Sequence, residues 1–218
     1  METIDWQARV WRGIAASVAR AVLPTGFRAL DRALPGGGWP LGAITEIFVD
    51  GYGIGELGLL MPALSALTRA DPAKPRKWIA WIAPPFVPYA PALQQHGVEV
   101  DRLLMIHPTP GGKSRLWATE QVVRSGSSAG VLAWVAAADD VILRRLQLAA
   151  EDQGCWVLLF RPSDARQQRS PAALRLRLAQ TLSSTRVEIL KCRGGRPGVV
   201  ELAELARVIP AAVRVSRS

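Results

Sequence analysis

The sequence predicts an α/β protein in which a mostly parallel central sheet carries helices on both faces. Three observations point there. Short, β-prone apolar runs alternate with helical segments along the chain. The runs are nearly continuous in apolar residues, as strands covered on both faces must be. The first long run, Ala43 to Val49, leads straight into a glycine-rich loop, DGYGIGELGLL at Asp50 to Leu60, and then into a helical stretch. At 218 residues the chain is long enough for one full core.

The elements follow in order. Over residues 3–22, Val10, Ile14 and Val18 recur at four-residue spacing and Trp6 and Trp11 extend their face, while Arg9, Arg12 and Arg20 lie elsewhere. This is an amphipathic helix, and Pro24 ends it. A short helix over Phe27 to Leu34 is closed by Gly36-Gly37-Gly38, and Ala43 to Val49 is the first central strand. Leu57 to Arg69 reads as helix, with Pro62 in its opening turns. Lys77 to Ile82 is a strand, Tyr89 to His96 a helix, Leu103 to Ile106 a strand, Leu116 to Arg124 a helix and Val131 to Val135 a strand. Asp139 to Ala150 is helical, with Asp139 or Asp140 as its cap, and Trp156 to Phe160 is a strand. Ala172 to Gln180 reads as helix, and Val187 to Cys192 and Gly198 to Leu202 as a strand pair joined by RGGRPG. The organisation is an N-terminal helix at 1–23, one α/β domain at 24–203 and a tail at 204–218. Trp78, Trp81, Trp134 and Trp156 fall on strands and are expected in the core.

Composition removes several classes of function. The longest apolar run, near Val131 to Ala138, is far short of the roughly 20 residues that span a bilayer, and the N-terminus has no apolar signal core, so a cytoplasmic protein without a membrane role is expected. The two cysteines, Cys155 and Cys192, lie far apart and form no metal-ligand spacing; both are expected as reduced core residues. Of 27 basic residues, 17 lie in residues 111–218 against 9 acidic ones, so +8 of the net +9 sits in the C-terminal half. Such a field favours nucleic acid or an acidic partner; the alternative is a solvated arginine-rich surface.

The glycine loop occupies the place of a phosphate-binding loop. A working one reads G-x-x-x-x-G-K-[ST]: backbone amides wrap the phosphates, lysine neutralises them and the hydroxyl binds Mg²⁺. With Gly55 as the second glycine, the first is replaced by Asp50, the lysine by Glu56 and the hydroxyl by Leu57, leaving Gly51 and Gly53 between. A carboxylate beside a polyphosphate turns attraction into repulsion, about 4 kcal/mol for unit charges 4 Å apart at an effective dielectric of 20. Nucleotide binding and metal binding are therefore not expected, and no cofactor is assigned. Glu56 reads instead as a first-turn acid favourable to the helix dipole. No carboxylate lies between Lys77 and Val98 to serve as a base, and Trp134 stands where a metal-coordinating aspartate would be sought. His96 and His107 stand alone, so no catalytic residue is assigned and the chain is read as a non-enzyme.

The stretch TGFRALDRALPGGGWPLGAITEIFVDGYGIGELGLLMPALSAL resembles the core of RecA-type recombinases, with a TG-x-x-x-LD helix and a G-G-x-P-x-G turn ahead of the strand that feeds the loop. Together with WIAPPFVPYAPAL, LWATEQVVRSGSSAGVLAWV, LRRLQLAAEDQGCWVLLFRP, SPAALRLRL and ILKCRGGRPG, in that order over residues 24–200, it is similar to the ImuA family, a RecA-like and SulA-related group. That resemblance implies a RecA-like fold with a degenerate nucleotide loop. It implies a non-catalytic role in SOS-induced translesion DNA synthesis and DNA repair. The implied partners are an ImuB-type polymerase homologue, an error-prone replicative-type polymerase subunit reached indirectly, and RecA itself. The more distant SulA likeness implies an alternative, a division inhibitor that binds FtsZ. Weak direct DNA binding by the basic half is a further expectation.

Candidate contact residues follow from charge and aromaticity. Arg144, Arg145, Arg161, Lys191, Arg193 and Arg196 concentrate cations on the basic half, where guanidinium forks suit phosphates and carboxylates alike. The alternative is structural, with Arg144, Arg145 and Arg161 paired to Glu151 and Asp152. Trp6, Trp11 and Trp39 lie on extensions where an exposed indole anchors a partner, Trp11 being preferred. WIAPPFVPYAP, rich in proline, reads either as a rigid connection at the sheet edge where partners of such folds dock or as a simple turn. RPSDARQQRS, after Phe160, lies where RecA-type proteins carry a DNA-contacting loop but is short and lacks glycine.

Overall fold

A computed structural model describes residues 21–69, 75–109, 112–181 and 183–206. Among the described residues, eight strands form one sheet in the order β10-β9-β8-β3-β7-β6-β4-β5. They are β3 (Ala43–Val49), β4 (Trp78–Ile82), β5 (Leu103–Ile106), β6 (Ser128–Trp134), β7 (Trp156–Pro162), β8 (Leu174–Gln180), β9 (Thr185–Cys192) and β10 (Gly198–Leu202). From β8 to β5 every pairing is parallel, whereas β9 runs antiparallel to both β8 and β10. A two-stranded ribbon, β1 (Val22–Leu23) with β2 (Trp39–Pro40), stands apart. Val22 thus ends in a strand rather than in the expected N-terminal helix; the rest of that helix, with Trp6 and Trp11, lies outside the described residues. The ribbon requires glycine at 38, where a Cβ would lie 2.3 Å from the Leu23 carbonyl oxygen.

Alternation along the strands sends apolar side chains to both faces. Ile47, Val49, Trp81, Trp134, Trp156 and Phe160 join one core with α1 (Arg28–Ala33), α2 (Met61–Thr68) and α3 (Ala90–Gln95). Ile44, Ala80, Val131, Val157 and Leu159 face the other, under α4 (Gly112–Arg124) and α5 (Asp140–Gln153). Asp139 caps α5 by accepting the Ile142 amide at 2.8 Å, and Gly154 closes it in the left-handed conformation. Gln147 pins α5 to the sheet: its Oε1 accepts the Ile44 amide at 3.0 Å. A last turn, α6 (Ala203–Ala206), follows β10.

The largest departure from expectation is β8. The segment read as a helix is a strand, because LRLRL alternates with period two: Leu174, Leu176 and Leu178 are buried while Arg175 and Arg177 point to the opposite face. Two tryptophans also change place. Trp39 is fully buried against Trp156, with ring centroids 5.9 Å apart, and so is no exposed anchor. Trp78, expected in the core, is 43 % exposed at the first position of β4. Cys155 is buried and free, its thiol pushed up to about 12 by desolvation, and Cys192 is half-buried and free.

Candidate functional site at the carboxyl end of the central strand

The loop that follows β3 turns through Gly53 (φ +79°) and Gly55 (φ +92°), backbone that side-chain-bearing residues avoid. Glu56 is 4 % exposed, and its carboxylate folds back into the loop. Oε1 accepts the Gly53 amide at 3.0 Å and Oε2 accepts the Ile54 amide at 2.9 Å. This corrects the reading of Glu56 as a helix first-turn acid: a 3₁₀ turn at Gly58–Leu60 comes first, and α2 begins only at Met61. From outside, β8 ties the loop twice. Gln180 Nε2 donates to the Ile54 carbonyl at 2.5 Å, and Arg177 holds Asp50 at 3.1 Å. The Ser163 hydroxyl and the Arg177 guanidinium together keep the Asp50 carboxyl below its ordinary value.

Beneath the loop lies a buried charge network. Glu46, in the middle of β3 and wholly buried, receives Arg161 on one oxygen at 2.5 Å and Arg175 on the other at 2.7 Å. Arg161 also donates to Gln168 Oε1 at 2.6 Å, and Arg175 lies over the Phe48 ring, 4.9 Å from its centroid. Arg177 continues the series to Glu188 at 3.4 Å. A single carboxylate between two guanidiniums holds β3, β7 and β8 together at mid-sheet. Such an arrangement persists only when both partners remain, because either charge alone would be buried without compensation.

The neighbouring strand ends carry other chemistry. Trp134, at the end of β6, stacks on Phe160 with centroids 4.8 Å apart and lies 5.6 Å from Trp81. Its carbonyl accepts from Arg115 at 3.3 Å. Beyond β4, Ala83 adopts φ +52° and donates to the Ile106 carbonyl at 2.8 Å, which starts the proline-rich connection. That connection exposes Phe86, Val87 and Tyr89 at 68 %, 85 % and 72 %. Among the described residues, no set of three or more His, Cys, Asp or Glu is placed to hold a metal ion.

No protein-family model matches the chain. The RecA protein of Symbiobacterium thermophilum is 39 % identical over 107 residues, covering 49 % of this chain and 28 % of its own length. The RecA protein of a Picosynechococcus species is 34 % identical over 116 residues, 53 % of this chain and 31 % of its own length. Over these stretches the chain is similar to RecA proteins. The similarity takes in about half of it and spans less than a third of the RecA proteins it matches. The mostly parallel sheet with helices on both faces is compatible with a RecA-like fold.

On this sheet the contact candidates scatter. Arg161 is fully buried in the Glu46 pair, so it offers no surface for a partner or for DNA. Arg144 and Arg145 do form ion pairs, but not with Glu151 and Asp152: Arg144 meets Asp140 at 2.7 Å, and Arg145 makes two 2.8 Å bonds to Glu120, which also holds Arg124. Lys191 donates to the Ser170 carbonyl at 2.9 Å, and desolvation, with Arg175 and Arg193 nearby, lowers its pKa. Arg193 reaches the Pro171 carbonyl at 3.3 Å and Glu151 at 3.6 Å. Arg196 is exposed in the turn between β9 and β10. RPSDARQQRS is a 3₁₀ turn at Ser163–Gln167 beside β3, with Ser163 and Ala165 buried. Sequence reasoning missed Glu46, Arg175, Arg177 and Gln180; the alternation of LRLRL is the signal that would have found Arg175 and Arg177. Trp117, 63 % exposed on α4, was also passed over.

Proposed function

We propose that this chain is a non-catalytic, RecA-like accessory protein of SOS-induced, error-prone translesion DNA synthesis and DNA repair. It acts by protein contacts with an ImuB-type polymerase homologue, through it with an error-prone replicative-type polymerase subunit, and with RecA. The reading is supported above all by one observation: in a chain similar to RecA proteins, the Glu56 carboxylate itself takes up the Gly53 and Ile54 amides of the glycine-rich loop, which our sequence reading places where a phosphate would lie. The ImuA-like motif series over residues 24–200 supplies the partner class. Phe86, Val87 and Tyr89, held out on a proline-stiffened connection at the sheet edge, suit an anchor for such a partner.

Co-purification with the polymerase homologue and with RecA tests this. The full chain should retain the polymerase homologue, and Phe86→Ser with Tyr89→Ser, or removal of residues 1–20 with Trp11, should weaken retention. No retention of either partner, or capture of FtsZ in their place, would overturn the proposal.

A further inference from the structure

Glu56 poses a physical problem that its surroundings solve. A carboxylate that is 4 % exposed has lost most of its hydration and persists only with strong donors at its oxygens. Both donors are backbone amides of successive residues, Gly53 and Ile54, at 3.0 and 2.9 Å. They lie in a loop whose positive φ at Gly53 and Gly55 turns amides inward, the backbone concavity that binds anions. Gln180 on the Ile54 carbonyl and Arg177 on Asp50 hold the loop from β8, so its shape does not depend on Glu56 alone.

We propose that Glu56 is a built-in anion: its carboxylate fills an oxyanion nest made by the loop's own amides, keeping the loop in a ligand-like conformation and closing it to external oxyanions. The nest is latent rather than lost, since the glycines and both donors remain. Removing the carboxylate uncovers a site for a tetrahedral oxyanion. This inference does not depend on the partners proposed above, and Glu56 substitutions should leave co-purification with the polymerase homologue unchanged.

The test uses the full chain, inorganic phosphate as the probe and chloride at matched ionic strength as the control. Wild type should show no phosphate-specific shift in its melting temperature or in the amide resonances of Gly53 and Ile54. Glu56→Ala should melt lower, regain melting temperature with phosphate, and show saturable shifts at those two amides. Wild-type binding of phosphate at the same amides, or a folded Glu56→Ala variant blind to phosphate, would overturn the proposal. Should Glu56→Ala fail to fold, Glu56→Gln keeps the shape and removes the charge. Losing a charge-assisted bond should then speed exchange of the Gly53 or Ile54 amide by about ten- to a hundredfold. Unchanged exchange at both amides would contradict it.

Discussion

Glu46 is the residue on which the sheet's middle depends most. Its two oxygens pair with two arginines that come from different strands and have little access to water. Truncating it leaves two cations without a counter-charge, a loss of about 3–5 kcal/mol by analogy with other broken buried pairs. Glu46→Ala should therefore lower the urea-unfolding free energy by that amount, and a change below about 1 kcal/mol would mean the network is looser than its geometry indicates. Asp50 tests the loop's outer tie. Its folded pKa lies below the ordinary 3.8, so its contribution is fully present above 3.8 and disappears as pH falls through the lower, folded value. The stability gap between wild type and Asp50→Asn should be flat at neutral pH and close in acid. A gap that widens in acid contradicts the assignment.

At the scale of elements, α5 is governed by its ends. Asp139 supplies the cap bond to Ile142, and Asp139→Ala should cost about 1 kcal/mol in a thermal or denaturant melt, with no effect if the helix starts elsewhere. That cap was legible in the sequence, as were β3, β4, β5, β7 and the β9–β10 pair, because long apolar runs and turn residues act locally. β8 was not. Leucine and arginine both favour helices, and only the period-two pattern, short and flanked by alanine, opposed that propensity. The error carried a consequence for the site: read as helix, Arg175, Arg177 and Gln180 could not be aimed at Glu46, Asp50 and Ile54. Glu46 itself looked like a break in an apolar strand, and its partners lie 115 and 129 residues away, beyond the reach of local pattern. Trp39 failed for a similar reason, since its burial depends on Trp156 across the fold.

For the whole molecule, the basic half is less free than its charge suggests. Arg124, Arg144, Arg145, Arg161, Arg175, Arg177, Arg186 and Arg193 are all engaged with carboxylates. Much of the arginine excess among the described residues therefore serves the fold, while Arg196 stays exposed in the β9–β10 turn. The glycine-rich turn after β3 was legible in the sequence, but not the way Glu56 turns inward, because that depends on backbone angles at Gly53 and Gly55. The proposed role is non-catalytic, the protein working by contact in place of nucleotide chemistry. Steady-state ATP hydrolysis by the full chain, with Mg²⁺ and single-stranded DNA present, tests it most directly. The account predicts a rate equal to the protein-free background. Turnover well above background that falls when Glu56 is replaced would contradict it.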